Sequence, residues 1–214
     1  YTLYGISSAG TTKGKNLTFV GQGRDKTAWN IGAEVPDPAH YGTEYNGDYS
    51  FDGAGTITFR NMTLRSGTVD YLGFIRADNT VVDNCTVNGK TFYWGYKSAV
   101  FTNTTFNCPS GDYALWTYSS PVMTFDGCTF NAAGKVINVY TDYSAGQHDI
   151  TINFNNCAVV SSAANKSALN INDSNMGGFK YNININNPSS VSGLNPSSIT
   201  CSRLFGFSNN GNNT

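Results

Sequence analysis

The chain has 214 residues, 13 basic and 14 acidic side chains, a net charge of −1 and only 13% charged residues. That balance supplies neither the basic footprint of a nucleic-acid-binding protein nor an acidic tail, and no apolar run approaches the roughly 20 residues that span a bilayer. Asn, Ser, Thr and Gly outnumber Leu, Glu, Lys and Arg, which disfavours helices and favours strands and turns.

Residues 1–23 read as a first coil, with 16–23 an alternating strand closed by glycines, and 27–31 begin the next strand. From 33 to 49 the alternation breaks. Pro36, Pro38, Gly42 and Gly47 punctuate an irregular insertion carrying Glu34, Asp37, His40, Tyr41, Glu44, Tyr45 and Asp48. Loops of this length are often functional, and the other reading is a flap on the side of the fold.

From residue 51 to about 186 one phrase recurs: apolar-x-apolar-x, then Asn or Gly, then Cys, Thr or Met, then Thr or Ala, then apolar. Its fifth position falls at Asn61, Asn84, Asn103, Gly127 and Asn156, at intervals of 23, 19, 24 and 29 residues. A unit of alternating strands and turns recurring at such intervals is the mark of a solenoid. The Asn of sequons such as Asn84-Cys85-Thr86 is explained as a turn residue tolerant of left-handed backbone.

After a turn, each unit adds a second strand, at 72–77, 91–96, 113–118, 135–140 and 168–172. Alternation divides their faces. Leu115, Ile137, Leu169 and Tyr93 form one inward column, with Val139 and Ile171 in the next. Trp94 and Trp116 then point outwards, beside Tyr96, Tyr118 and Tyr140. A contiguous exposed aromatic patch marks a binding surface, whereas stacked rings can also brace a solenoid, and a one-residue slip would bury the set. Beyond residue 187 the phrase decays, and 187–214, with a last strand at 202–207, fits a capping segment.

Of the five cysteines, Cys85, Cys128 and Cys157 share one position of the phrase. Stacking puts them in a column of buried thiols at multiples of about 4.8 Å. Cys128 and Cys157, on neighbouring coils, are the pair that comes closest to disulfide reach. Cys108 and Cys201 show no metal-ligand spacing, so no metal or other cofactor is expected. Cys85→Ser is expected to cost about 1–3 kcal/mol through an unpaired buried hydroxyl.

The recurring phrase resembles the pectate-lyase-like right-handed β-helix superfamily over nearly the whole chain, and most of all the β-helix repeat domains of bacterial secreted and surface proteins. The resemblance implies fold more than activity. Lyases of this fold use a carboxylate cluster for calcium and a basic residue. Asp70, Asp78 and Asp83 with Arg60, Arg65 and Arg76 are near in sequence but do not recur at one coil position. Glycosidases need convergent carboxylates, and His40 and His148 have no recognisable partner. Residues 67–73 with 81–87 look like the pectin methylesterase segment that holds a catalytic aspartate. Asp70 would be the nucleophile on that resemblance, but the family's second Asp, its Gln segment and its Gly-Arg-Pro-Trp segment are missing.

The sequence therefore leads to an all-β, single-stranded right-handed parallel β-helix of roughly seven to eight coils in one domain over 1–214. Its expected role is a non-catalytic recognition module of an exported bacterial protein, extracellular or on the cell surface, monomeric, and cut from a longer chain. It would bind a host protein, possibly an immunoglobulin, or a glycan through Trp94, Tyr96, Trp116, Tyr118 and Tyr140, without nucleic acid and without membrane insertion. The alternatives are a pectin-esterase- or lyase-like enzyme and a passive stalk.

Overall fold

A computed structural model describes residues 2–4, 12–33, 51, 53–65, 74–89, 93–108, 113–117, 120–132, 135–140, 148–161, 167–172, 180–186 and 203–208. Within them the protein is all-β, and every strand pairing is parallel. Strands are numbered along the chain. Sheet I runs in spatial order β2 (Leu17–Val20), β4 (Thr56–Arg60), β7 (Asn79–Asp83), β10 (Ser98–Thr102), β13 (Val122–Asp126), β16 (Ile150–Asn155) and β19 (Tyr181–Asn186). Sheet II runs β1 (Thr2–Tyr4), β3 (Ala28–Ala33), β5 (Thr63–Arg65), β8 (Thr86–Asn88), β11 (Thr105–Cys108), β14 (Thr129–Ala132) and β17 (Ala158–Ser161). The remaining strands form a pair, β6 (Phe74–Ile75) with β9 (Tyr93–Trp94), and a four-stranded sheet of β12 (Tyr113–Thr117), β15 (Lys135–Tyr140), β18 (Ser167–Asn172) and β20 (Arg203–Ser208).

From β4 to β19 the chain passes through sheet I, then sheet II, then one of the smaller sheets, and returns to sheet I one strand further along. Each such pass is one rung. Register partners in sheet I are Thr58, Val81, Val100, Thr124, Asn153 and Asn184, so equivalent residues lie directly above one another. The sequence boundaries hold at 135–140. They shorten to two residues at 72–77 and 91–96, and they move by one at the last strand. Apart from Ala33, which ends β3, the 33–49 insertion lies outside the described residues, as does the segment 187–202.

Alternation explains the core. Phe59, Val82, Phe101, Phe125 and Phe154 form one buried column on sheet I, while Leu64, Val87, Phe106 and Phe130 form another on sheet II. In-register rings stack nearly parallel: Phe101 on Phe125 at 4.8 Å and 9°, and Phe106 on Phe130 at 4.9 Å and 7°. Rings from the two sheets meet edge to face, as Phe125 and Phe130 do at 5.1 Å and 72°, the geometry their quadrupoles favour.

The corner between sheets I and II is set by the phrase's fifth residue. Asn61, Asn84, Asn103 and Asn156 have φ of 56, 52, 48 and 55°, and Gly127 has 63°. Asn tolerates this left-handed region better than most residues with a Cβ. Each corner N–H is also used by the next rung: Asn61 donates to Asp83 O at 3.2 Å, Asn84 to Thr102 O at 2.9 Å and Asn103 to Asp126 O at 2.8 Å. Arg24, from the first rung, lies along this corner. Its guanidinium donates to Asn84 Oδ1 at 2.8 and 3.1 Å, to Thr105 Oγ1 at 3.3 Å and to Asn103 O.

Just past the corner, Met62, Cys85, Thr104, Cys128 and Cys157 are all buried. Cys85, Cys128 and Cys157 are free thiols, and each points at a carbonyl of the preceding rung: Cys85 at Phe59 O (3.6 Å), Cys128 at Phe101 O (3.4 Å) and Cys157 at Phe125 O (3.4 Å). Thr104 does the same with a hydroxyl, donating to Thr102 O at 3.0 Å and Val82 O at 3.4 Å. The expected penalty for Cys85→Ser is therefore corrected. A hydroxyl at that site finds the acceptors that Thr104 finds one rung away, and none is left unpaired. Burial pushes the Cys85 thiol above its ordinary range. The hydrogen bond to Cys157, followed by burial, pushes Cys128 up as well.

Two outcomes follow for chemical denaturation. Cys85→Ser should lose about 1 kcal/mol or less, against about 3–5 kcal/mol for Phe125→Ala, which empties the centre of a ring stack. Because the folded Cys85 thiol holds its proton more tightly than the unfolded one, its contribution is complete below about pH 8.5 and is lost as pH rises above it. Wild-type stability should consequently fall more steeply than that of Cys85→Ala between about pH 8.5 and 10.

Candidate functional site

Trp94 does not point outwards. Its side chain is 2% exposed and sits edge-on to Phe101, 5.2 Å away at 82°. The expectation failed because β9 has only two residues and pairs with β6 through Ile75, itself buried, and it belongs to a different sheet from β12. Gly95, with φ of 112°, breaks the alternation at once. Gly95 O accepts from Ser120 Oγ at 2.8 Å, an offset of 25 residues, whereas pairing Trp94 with Trp116 assumed 22. No register pairing joins β9 to β12 among the described residues, so the period that carried the inward column of Leu115 and Ile137 back to Tyr93 had no continuous sheet behind it.

Tyr96 is half-buried. Its hydroxyl accepts from Arg76 Nε at 2.7 Å, and the guanidinium carbon lies 5.8 Å from the ring centroid, so an intrachain cation already occupies the ring. Trp116 and Tyr140 belong to β12 and β15, whose backbones pair as Trp116 with Asn138. Their side chains, all of Tyr118, and Asp70 lie outside the described set.

The described carboxylates are spread along the stack. Asp83 pairs with Arg60 at 3.5 Å and Asp78 with Lys97 at 2.8 Å, all partly exposed, and such surface pairs contribute little to stability. Among the described residues, no group of three His, Cys, Asp or Glu is gathered that could hold a metal ion. No helix there is long and apolar enough to cross a membrane.

What stacking does gather is polar and uncharged. On sheet II, Thr63, Thr86, Thr105 and Thr129 stand in register, and two residues along so do Asn88, Asn107 and Asn131. Both sets are half-exposed, alternating with the buried column. Asn107 Nδ2 donates to Asn88 Oδ1 at 3.0 Å and Asn131 Nδ2 to Asn107 Oδ1 at 2.9 Å. Sheet I carries the same device, with Asn184 Nδ2 donating to Asn153 Oδ1 at 2.8 Å and Asn153 Nδ2 to Thr124 Oγ1 at 3.2 Å. These amides all point back towards the preceding rung. Sequence reasoning passed over them, although the signal was present: Thr-x-Asn recurs at 86–88, 105–107 and 129–131.

Compared with protein-family models, curated proteins and solved structures, the chain matches none.

Trp94→Ala should lower unfolding free energy by about 3–5 kcal/mol, as removal of a buried ring does. Urea titration measures it, and an unchanged midpoint would place the ring outside the core.

Proposed function

We propose that the chain forms a single-stranded right-handed parallel β-helix acting as a non-catalytic recognition module of a bacterial surface or secreted protein. Its ligand on this reading is a repeating host glycan, laid along the flat outer faces of sheets I and II. The handedness follows the strong preference of parallel crossovers, and the cyclic order of strands supports closure into a coil.

The observation that carries the function is the in-register ladder of Asn88, Asn107 and Asn131 beside Thr63, Thr86, Thr105 and Thr129. Amide and hydroxyl groups both donate and accept, which suits sugar hydroxyls. They recur at the strand spacing of about 4.8 Å, close to the rise of one residue in an extended glycan. A ladder held by its own amide bonds is also preorganised, so little ordering is needed on binding. Trp116, Tyr118 and Tyr140 are retained as a second proposed contact set, and Trp94 is withdrawn from it.

The test is an array of host glycans and host extracellular proteins, probed with the wild type and with Asn107→Ala/Asn131→Ala. A saturable glycan hit should weaken about tenfold or more in the variant while its thermal midpoint falls only slightly. A hit that ignores the Asn pair, or one confined to proteins, contradicts the glycan face. Turnover of pectin-like polymers abolished by Asp70→Asn would make the chain an enzyme instead.

A further inference from the structure

Sheet I ends at β2, and the alternation of a parallel ladder shows which of its backbone groups are spare. Gly21 N–H donates to Arg60 O at 2.8 Å, with Val20 in register with Arg60. Odd-numbered residues of β2 therefore face β4. The N–H and C=O of Thr18 and Val20 face the opposite, outer edge, where no strand pairs among the described residues. Val20 is 64% exposed, a large apolar side chain on an open edge.

A cavity of about 650 Å³ follows this edge, lined by Thr18, Phe19, Val20, Lys26, Trp29 and Met62 among others. Phe19 ends an aromatic stack: one face lies on Phe59 at 5.7 Å and 19°, and Trp29 meets it edge-on at 4.4 Å. The cavity's wall is the turn at 22–27, and it is held firmly. Gln22 N–H donates to Thr27 Oγ1 at 3.0 Å, Thr63 Oγ1 donates to Arg24 O at 2.6 Å, and the Arg24 side chain reaches across three rungs. Lys26, on the rim, is exposed and forms no ion pair with any described residue.

Open strand edges template the pairing of other chains, and proteins usually block them. Among the described residues this one combines backbone donors and acceptors that no strand uses, a preformed side-chain cavity and a cation without an ion-pair partner. We propose that the outer edge of β2 takes an extended segment of a partner protein by strand addition. The segment hydrogen-bonds to Thr18 and Val20, seats an apolar side chain against Phe19 and Trp29, and sets an acidic side chain on Lys26. Main-chain bonds then supply affinity, while the cavity and the charge supply specificity. The site is separate from the Asn and Thr ladders and stands independently of the glycan reading.

Short random peptides displayed on phage are the probe, panned on the immobilised protein, with the selected peptides measured by fluorescence polarisation. Enriched sequences should place an aromatic or branched apolar residue two positions from Asp or Glu. Val20→Pro removes an N–H that β4 does not use, at an edge where proline is tolerated, and Lys26→Glu reverses the charge. Each should weaken binding about tenfold or more with little change in thermal midpoint. If the proline variant unfolds, amide exchange replaces it: the Thr18 and Val20 N–H groups should exchange freely alone and become protected with peptide. No enrichment over bare support, or binding that survives either substitution, overturns the proposal. So does self-association abolished by Val20→Pro, because the edge would then belong to a second copy.

Discussion

Parallel in-register stacking is the constraint on which the rest of this structure depends. When each rung lies directly on the last, every side chain has its own equivalent above and below it. A residue type is then acceptable only if it is compatible with copies of itself. Phenylalanine passes, because rings stack nearly parallel within a column and meet the next column edge to face. Asparagine passes at the surface, because an amide is donor and acceptor at once and can bond to its own kind. Lysine, arginine and aspartate fail in runs, since like charges at about 4.8 Å repel, and this accounts for the scarcity of charge along the outer columns. The composition of the chain follows from the stacking.

The left-handed corner makes that stacking possible. Each rung must turn from sheet I to sheet II at the same height, and one residue with φ near 50–60° does so. Asn supplies the conformation and adds a side chain that reaches its neighbours: Asn84 bonds to Asn61 at 2.8 Å and accepts from Arg24. Gly127 supplies the same conformation where an added Cβ would lie 2.7 Å from Asn103 Oδ1. Behind the corner, thiols and the Thr104 hydroxyl bind carbonyls of the preceding rung, so the column contributes hydrogen bonds as well as packing.

Much of this was legible in the sequence because the periodic signal and the physical constraint coincide. The corner residues, the cysteine column and the alternation of sheets I and II stand where spacing placed them. Trp94 was misplaced because its strand is too short to carry a period, pairs with β6 and not β12, and is followed by Gly95 with a positive φ. Alternation fixes faces only where several residues in a row obey it, which β9 does not offer. The Asn and Thr ladders were written in the chain as Thr-x-Asn, but an aromatic cluster is the louder binding signal and drew the assignment away from them. That β2 ends sheet I among the described residues was not legible at all, since it depends on how the strands are ordered in space.

The central claim is that rungs stack in register along sheet I. Nitroxide labels at Thr18→Cys and Asn184→Cys, both exposed and six register steps apart, test it most directly by pulsed electron-spin distance measurement. Six strand steps predict a single distribution centred on about 29 Å, broadened by the label arms. A distribution centred far from that value, or several resolved populations, would show that the strands do not stack as one parallel sheet and would contradict the account.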